Sequence, residues 1–370
     1  MNILFLSRHD PMDINSWSGT LYHIYHKLKE RHQVKIMGTE ILRQLELFTK
    51  GNLPDSEFIT TDRYVKKLNL LLSERINATE SDLIFFGDLL YTPFLDVNRP
   101  YIHISDMTFE QMKIHLSKPD ERNIEPSIHL EQLLLNTANR IIYCSEWIKN
   151  RAVETYHLDP DKIDVVELGA NIPAPTSYTI DINTDICRLV FIGKEWEGKG
   201  GDKLLQVYEI LKSDGFPCTL TIIGSGNKEI DIDDSNLTVY PFLDKSKPAD
   251  LETLCKILSE SHFLVLPTKF DAFGIVFCEA SAYAVPSITA DVGGVSQAVM
   301  DGKNGFLLPA DATPNDYAEK IKTVFNDKEN YLKLRQSSRK EFETRLNWDV
   351  WGEKVNKILE DVVNKWKSHE

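Results

Sequence analysis

Two acids placed to face the same helix N-terminus are the first chemically informative feature of the chain. Asp271 and Glu279 lie in Leu264-Val-Leu-Pro-Thr-Lys-Phe-Asp-Ala-Phe-Gly-Ile-Val-Phe-Cys-Glu279. The apolar run reads as a strand ending near Pro267, and Ile275 to about Ala284 reads as a helix with Pro286 in the turn beyond. A helix N-terminus offers free N–H groups and partial positive charge, a ready seat for phosphate. Phe273, Gly274 and Ile275 would supply those groups, and Gly274 lets a ligand approach the backbone closely. Taken singly, Asp271 reads as a helix cap and Glu279 as a solvated helical acid. The apolar neighbours Ile275, Val276, Phe277 and Cys278 argue against that for Glu279, because a buried acid needs partners. The pair can accept hydrogen bonds from sugar hydroxyls of one extended ligand.

A second cluster is Phe191-Ile-Gly-Lys-Glu-Trp-Glu-Gly-Lys-Gly-Gly-Asp202. Gly193, Gly198 and Lys199 have the spacing of a phosphate-binding P-loop, but Gly200 stands where that loop needs a Ser or Thr for Mg²⁺. Two surface lysines after a strand are the bland alternative. The glycines on both sides of Lys199 favour a phosphate-binding role over that bland reading. No metal or other cofactor is expected: the first half has no Asp-x-Asp pair at a strand end, and Asp231–Asp234 reads as a solvated loop. In the first half, Gly19 follows the first strand, and Tyr101-Ile-His-Ile-Ser-Asp-Met-Thr-Phe109 carries Asp106 and His103. By strand alternation His103 shares a face with Ser105, and it reads equally as a site residue or a core histidine.

Positioning these residues requires two sheets. Near-continuous apolar runs at Ile3–Leu6, Gln33–Met37, Asp82–Phe86, Tyr101–Ile104, Arg140–Cys144 and Ile163–Glu167 alternate with helical segments such as Leu21–Glu30 and Glu146–Tyr156. The alternation restarts with Arg188–Ile192, Thr219–Ile223, Leu237–Tyr240, Phe263–Leu266 and Ser287–Thr289. That is the pattern of doubly wound α/β domains with parallel sheets buried on both faces. Such sheets bind ligands beyond the carboxyl ends of their strands. The proline-bearing stretch Asn171–Asp185 reads as a linker, and Trp348–Trp366 as a last helix with a broad apolar stripe. The expected division is 1–175, 186–346 and a C-terminal helix, 347–370, packing back on the first domain.

The segment around Asp271 resembles the E-x7-E signature of family-4 glycosyltransferases, with Asp271 at the first Glu and Glu279 at the second. Pro267-Thr268, the run Gly293-Gly294-Val295-Ser296-Gln297 and the turn Asp301–Gly305 are similar to further family elements. Lys194 and Lys199 fall at the family's Arg and Lys, Gly19 at its glycine-rich turn, Asp106 near its His-Asp element, Ser145-Glu146 at its S-E, and Gly169 before the linker. The departures are Asp for the first Glu, Lys for Arg and Gln297 for Glu, which can still accept a hydrogen bond.

The resemblance implies a GT-B fold: two Rossmann-like domains facing across a cleft, the first on the acceptor side and the second binding the nucleotide sugar. It implies a retaining transfer from a nucleotide-diphosphate-sugar to a hydroxyl acceptor, without a metal. Lys194 and Lys199 would then neutralise the diphosphate, Glu279 hold the ribose, Asp271 position the sugar, and Asp106 and His103 lie on the acceptor side. A P-loop-like nucleotide hydrolase and a catalytically silent nucleotide-sugar-binding protein are the alternatives.

Composition narrows the partners. Hydrophobic residues at 42% and charged residues at 26% are ordinary for a globular protein. A net charge of −14 argues against a nucleic-acid partner. The N-terminus reads as a buried strand and the 5 scattered cysteines fit a reducing compartment, so a cytoplasmic setting is expected. Residues 63–75 fit a helix with one face in the core, or a peripheral contact at the inner membrane face.

Overall fold

The computed structural model describes residues 1–38, 62–87, 92–115, 125–179, 183–226, 228–230 and 234–368. Most of the expected acidic loop 231–234 and part of the expected linker, 180–182, lie outside them.

Contacts divide the chain into two compact units, Met1–Val166 with Trp351–Glu370, and Glu167–Val350. The first holds a six-stranded sheet in the order β2-β1-β3-β4-β5-β6. Its strands are β1 (Asn2–Leu6), β2 (Gln33–Met37), β3 (Leu83–Phe86), β4 (Tyr101–Ser105), β5 (Arg140–Tyr143) and β6 (Ile163–Val165). The second holds another six-stranded sheet in the order β12-β11-β10-β7-β8-β9. These are β7 (Cys187–Ile192), β8 (Cys218–Ile223), β9 (Leu237–Tyr240), β10 (Phe263–Leu266), β11 (Ser287–Ala290) and β12 (Gly305–Leu308). All neighbouring strands run parallel. Central strands are apolar along their whole length because helices cover both faces: β3 and β10 are buried at every residue. At the edge, β2 alternates exposed and less exposed residues.

Several boundaries differ from the sequence reading. The helix expected to reach Ala284 ends at Ala282. There Ala284 adopts φ 57°, Val285 N donates to Ala280 O at 2.9 Å and Ala284 N to Ser281 O at 3.0 Å. This is a Schellman-type stop made at an alanine, two residues before the proline that marked the turn in the sequence. Strand β12 was missed because its four residues, Gly-Phe-Leu-Leu, follow a turn without alternation. The helix Asp62–Asn77 buries Val65, Leu68, Leu72 and Ile76 and exposes Lys66, Lys67 and Leu70, in keeping with a face in the core.

The proline stretch expected as a linker is strapped onto the second unit. Pro173 O accepts from Tyr283 Oη at 2.8 Å, and Thr179 O from Arg335 Nη2 at 3.2 Å. Asn183 O meets His262 Nε2 at 2.9 Å. Burial and the neighbouring Arg188 bring the His262 imidazole down to about 3, so it is neutral at pH 7; Nδ1 accepts from Arg188 N and Nε2–H donates to Asn183 O. An extended segment has no internal partners for its carbonyls, and these side chains supply them. The division accordingly falls at Val166–Glu167, earlier than the expected 175.

The last helix, Trp348–Lys367, changes unit within its first turn. Trp348 Nε1 donates to Ala170 O and Asn171 Oδ1, both at 3.1 Å, inside the second unit. From Trp351 onward the helix belongs to the first unit, where Asn356 Oδ1 meets His32 Nε2 at 2.7 Å and Asp361 meets Arg140 at 3.2 Å. Trp351, Val355 and Leu359 are fully buried. Trp351→Ala should therefore cost about 3–5 kcal/mol in urea unfolding, the range for emptying a large aromatic site. A chain cut before Trp351 should aggregate; one that stays monomeric by light scattering would contradict this packing.

Candidate functional site

In the second sheet the chain runs from β7 outward to β8 on one side, and from β10 to β11 on the other. β7 and β10 are hydrogen-bonded neighbours, so their carboxyl ends form a topological switch point. The loops after them carry Lys194, Lys199 and Asp271, and they are knit together. Lys269 N donates to Gly198 O at 2.8 Å, and Thr268 Oγ1 to the same oxygen at 3.2 Å. Gly200 has φ 76°, and a Cβ there would lie 2.0 Å from Pro267 O. That contact explains the missing Ser or Thr after Lys199: no side chain fits. Trp196 lies against Gly201 and donates from Nε1 to Asp202 at 2.8 Å.

Asp271 is held at its backbone by the loop after β11. Gly294 N donates to Asp271 O at 2.9 Å, and a Cβ on Gly293 would come within 2.3 Å of that oxygen. Gly274, at φ 87°, is the N-cap of the helix Ile275–Ala282, with no side-chain cap. The N–H groups of its first turn therefore open toward the same mouth as Asp271.

The polar side chains sort into two ion pairs and one uncommitted cation. Lys199 Nζ lies 2.6 Å from Asp271 Oδ2, with side chains 24% and 16% exposed. Glu279 is 2% exposed, as its apolar neighbours require, and accepts from Lys245 Nζ. Lys194 is exposed, stands 5.3 Å from the Phe242 ring centroid and enters no ion pair among the described residues. Gly193, where Lys199 packs its stem, completes the β7 loop.

Lys245 and the half-exposed Phe242 were not found from the sequence. Both lie in the loop after β9, and only that position marks them. Gln297 donates from Nε2 to Glu167 Oε1 at 3.0 Å. Among the described residues no group of three or more His, Cys, Asp or Glu is placed to hold a metal ion, and no helix is long and apolar enough to cross a membrane.

In the first unit, Trp17, Ser18 and Gly19 form a left-handed run after β1, with φ 48°, 55° and 94°. Trp17 Nε1 donates to Asp106 Oδ2 at 2.6 Å, which joins the β1 and β4 loops. His103 lies inside β4, fully buried, 6.5 Å from the Phe86 ring; of its two readings the position fits the core histidine. Behind Asp106, Phe109 N donates to Glu131 Oε2 at 2.8 Å and Tyr156 Oη donates to the same carboxylate. Burial pushes the Glu131 carboxyl up to about 7. Ser145 caps the helix Glu146–Tyr156, accepting from Ile148 N at 3.4 Å.

Residues 181–341 match the family model of Glycosyl transferases group 1. The capsular polysaccharide biosynthesis glycosyltransferase CapM of Staphylococcus aureus is 26% identical over 258 residues, 64% of this chain and 66% of that protein. Across the first three curated relatives the chain spans 58–66% of their length. Among solved structures, sucrose-phosphate synthase from Thermosynechococcus elongatus aligns with a TM-score of 0.69 at 15% identity, over 98% of this chain and 99% of that one. HepE of Anabaena, solved in complex with UDP, aligns with a TM-score of 0.66 at 15% identity, over 98% and 100%. The fold is that of the GT-B glycosyltransferases, with two parallel-sheet, Rossmann-like domains.

The unequal burial of the two ion pairs predicts unequal costs of breaking them. Lys245→Met leaves Glu279 buried without its cation and should cost about 2–4 kcal/mol. Lys199→Met, in a pair open to water, should cost less than about 1 kcal/mol. Urea midpoints at one pH check the order; equal costs would contradict it.

Proposed function

We propose that the group 1 glycosyl transferase domain of the second unit takes a sugar from a nucleotide-diphosphate-sugar donor. The acceptor is a hydroxyl on a glycan, lipid-linked or small-molecule substrate. Transfer retains the anomeric configuration and needs no divalent metal. The observation that carries the reading is the meeting of Lys199, Asp271 and an uncapped helix N-terminus at one switch point, with Lys194 on the same β7 loop.

Cleaving the donor leaves negative charge on the diphosphate. Lys194, Lys199 and the N–H groups at Phe273, Gly274 and Ile275 stabilise that leaving group. Glu279, fixed on its helix, takes the ribose hydroxyls, and Asp271 positions the transferred sugar. The acceptor hydroxyl attacks on the face the diphosphate leaves, so no protein nucleophile is required. Asp106, held by Trp17 beside Gly19, serves the acceptor side.

The names of the relatives support this reading, CapM through capsular polysaccharide and HepE through its structure with UDP-glucose. The hydrolase alternative fares worse, because Gly200 cannot carry the hydroxyl that a P-loop needs for Mg²⁺.

A screen of UDP-, GDP- and ADP-sugars by thermal shift identifies the donor, since a ligand at about 100 times its Kd adds about 2.7 kcal/mol of stability. Lys199→Ala should then lower turnover by roughly a hundredfold or more, the scale of losing a leaving-group stabiliser. EDTA should leave the wild-type rate unchanged. Full activity in folded Lys199→Ala protein sinks the phosphate clamp; an EDTA-sensitive rate restored by Mg²⁺ revives the hydrolase.

A further inference from the structure

The Lys199–Asp271 contact sets a phosphate-binding cation against a sugar-binding acid, and each is the other's competitor for the donor. We propose that this pair is a charge-exchange device, an inference that rests on the donor reading above. The diphosphate of the nucleotide sugar draws Lys199 off Asp271, and the sugar hydroxyls take the released carboxylate. After transfer, the nucleoside diphosphate still competes for Lys199 but offers Asp271 nothing. The ion pair re-forms and favours product release.

Three observations support the exchange. The pair is short, 2.6 Å, yet both side chains remain reachable, at 24% and 16% exposure. A ligand can therefore enter between them. The acid is the fixed partner: its carbonyl accepts from Gly294 N, Gly293 closes against it, and its Oδ1 lies 3.5 Å from Phe273 N. The lysine is the mobile one, on a flexible stem between Gly198 and Gly200, with its Cγ lying over Gly193. Lys194 forms no ion pair among the described residues, so it meets a diphosphate without first being released. Asp in place of the family's longer Glu belongs to the same arrangement, since the shorter acid here meets the lysine directly.

The exchange predicts an inverted effect for a substitution in a binding site. Asp271→Asn keeps the shape and the Oδ1 acceptor but frees Lys199. Calorimetric titration of the full chain with UDP, GDP and ADP, in EDTA, should show the preferred diphosphate binding roughly threefold to tenfold tighter than to wild type. The matching nucleotide sugar should gain less, transfer should slow, and inhibition by the diphosphate should deepen. In a Lys199→Ala background the gain from Asp271→Asn should shrink to what lost repulsion alone provides. Unchanged or weaker diphosphate binding by Asp271→Asn, or an equal gain in both backgrounds, overturns the exchange while leaving the donor reading standing. If Lys199→Ala binds the diphosphate like wild type, or none of the three diphosphates binds wild type, the donor reading falls and the exchange with it.

Discussion

The carbonyl of Pro267 occupies the place of any side chain at position 200, and the site of the second unit depends on that close approach. It brings the β7 loop against the β10 loop, so that Lys199 and Asp271, far apart in sequence, become partners. The same contact forbids the hydroxyl of a Mg²⁺-binding P-loop at that position. One steric fact thereby sets the geometry of the two loops and excludes that kind of phosphate loop.

Much of this was legible in the chain because parallel strands buried on both faces write themselves as apolar runs, and because ligand loops follow strand ends. Asp271 and Lys199 could each be placed in a loop beyond a strand end on those grounds, though not that the two loops meet. Lys245 could not: its pairing with Glu279 depends on how the β9 loop meets a helix three elements later, which no local spacing encodes. The proline stretch misled for a related reason. Prolines signal the absence of helix, and an extended segment is a linker only if nothing grips it; Arg335, Tyr283 and His262 grip this one from remote positions. His103 was ambiguous because alternation assigns a face, not a depth, and its ring lies one pleat short of the strand end.

The two halves treat strain and charge differently. Around Asp106 the left-handed Trp17 and Ser18 hold a conformation that costs free energy at non-glycine residues, and the indole–carboxylate bond anchors it. Around Asp271 the positive-φ positions Gly200, Gly274 and Gly293 are glycines, which relieve the cost.

The last helix gives the order of synthesis a physical meaning. The second unit, Glu167–Val350, is one contiguous stretch, so it emerges from the ribosome whole. The first unit is broken in two, and its core lacks Trp351, Val355 and Leu359 until the whole of the second has been made. At about 5–20 residues per second that interval is on the order of ten seconds or more. During it, the earlier-made sheet waits without the apolar side chains that complete its core. The half synthesised first is thus the half that finishes folding last.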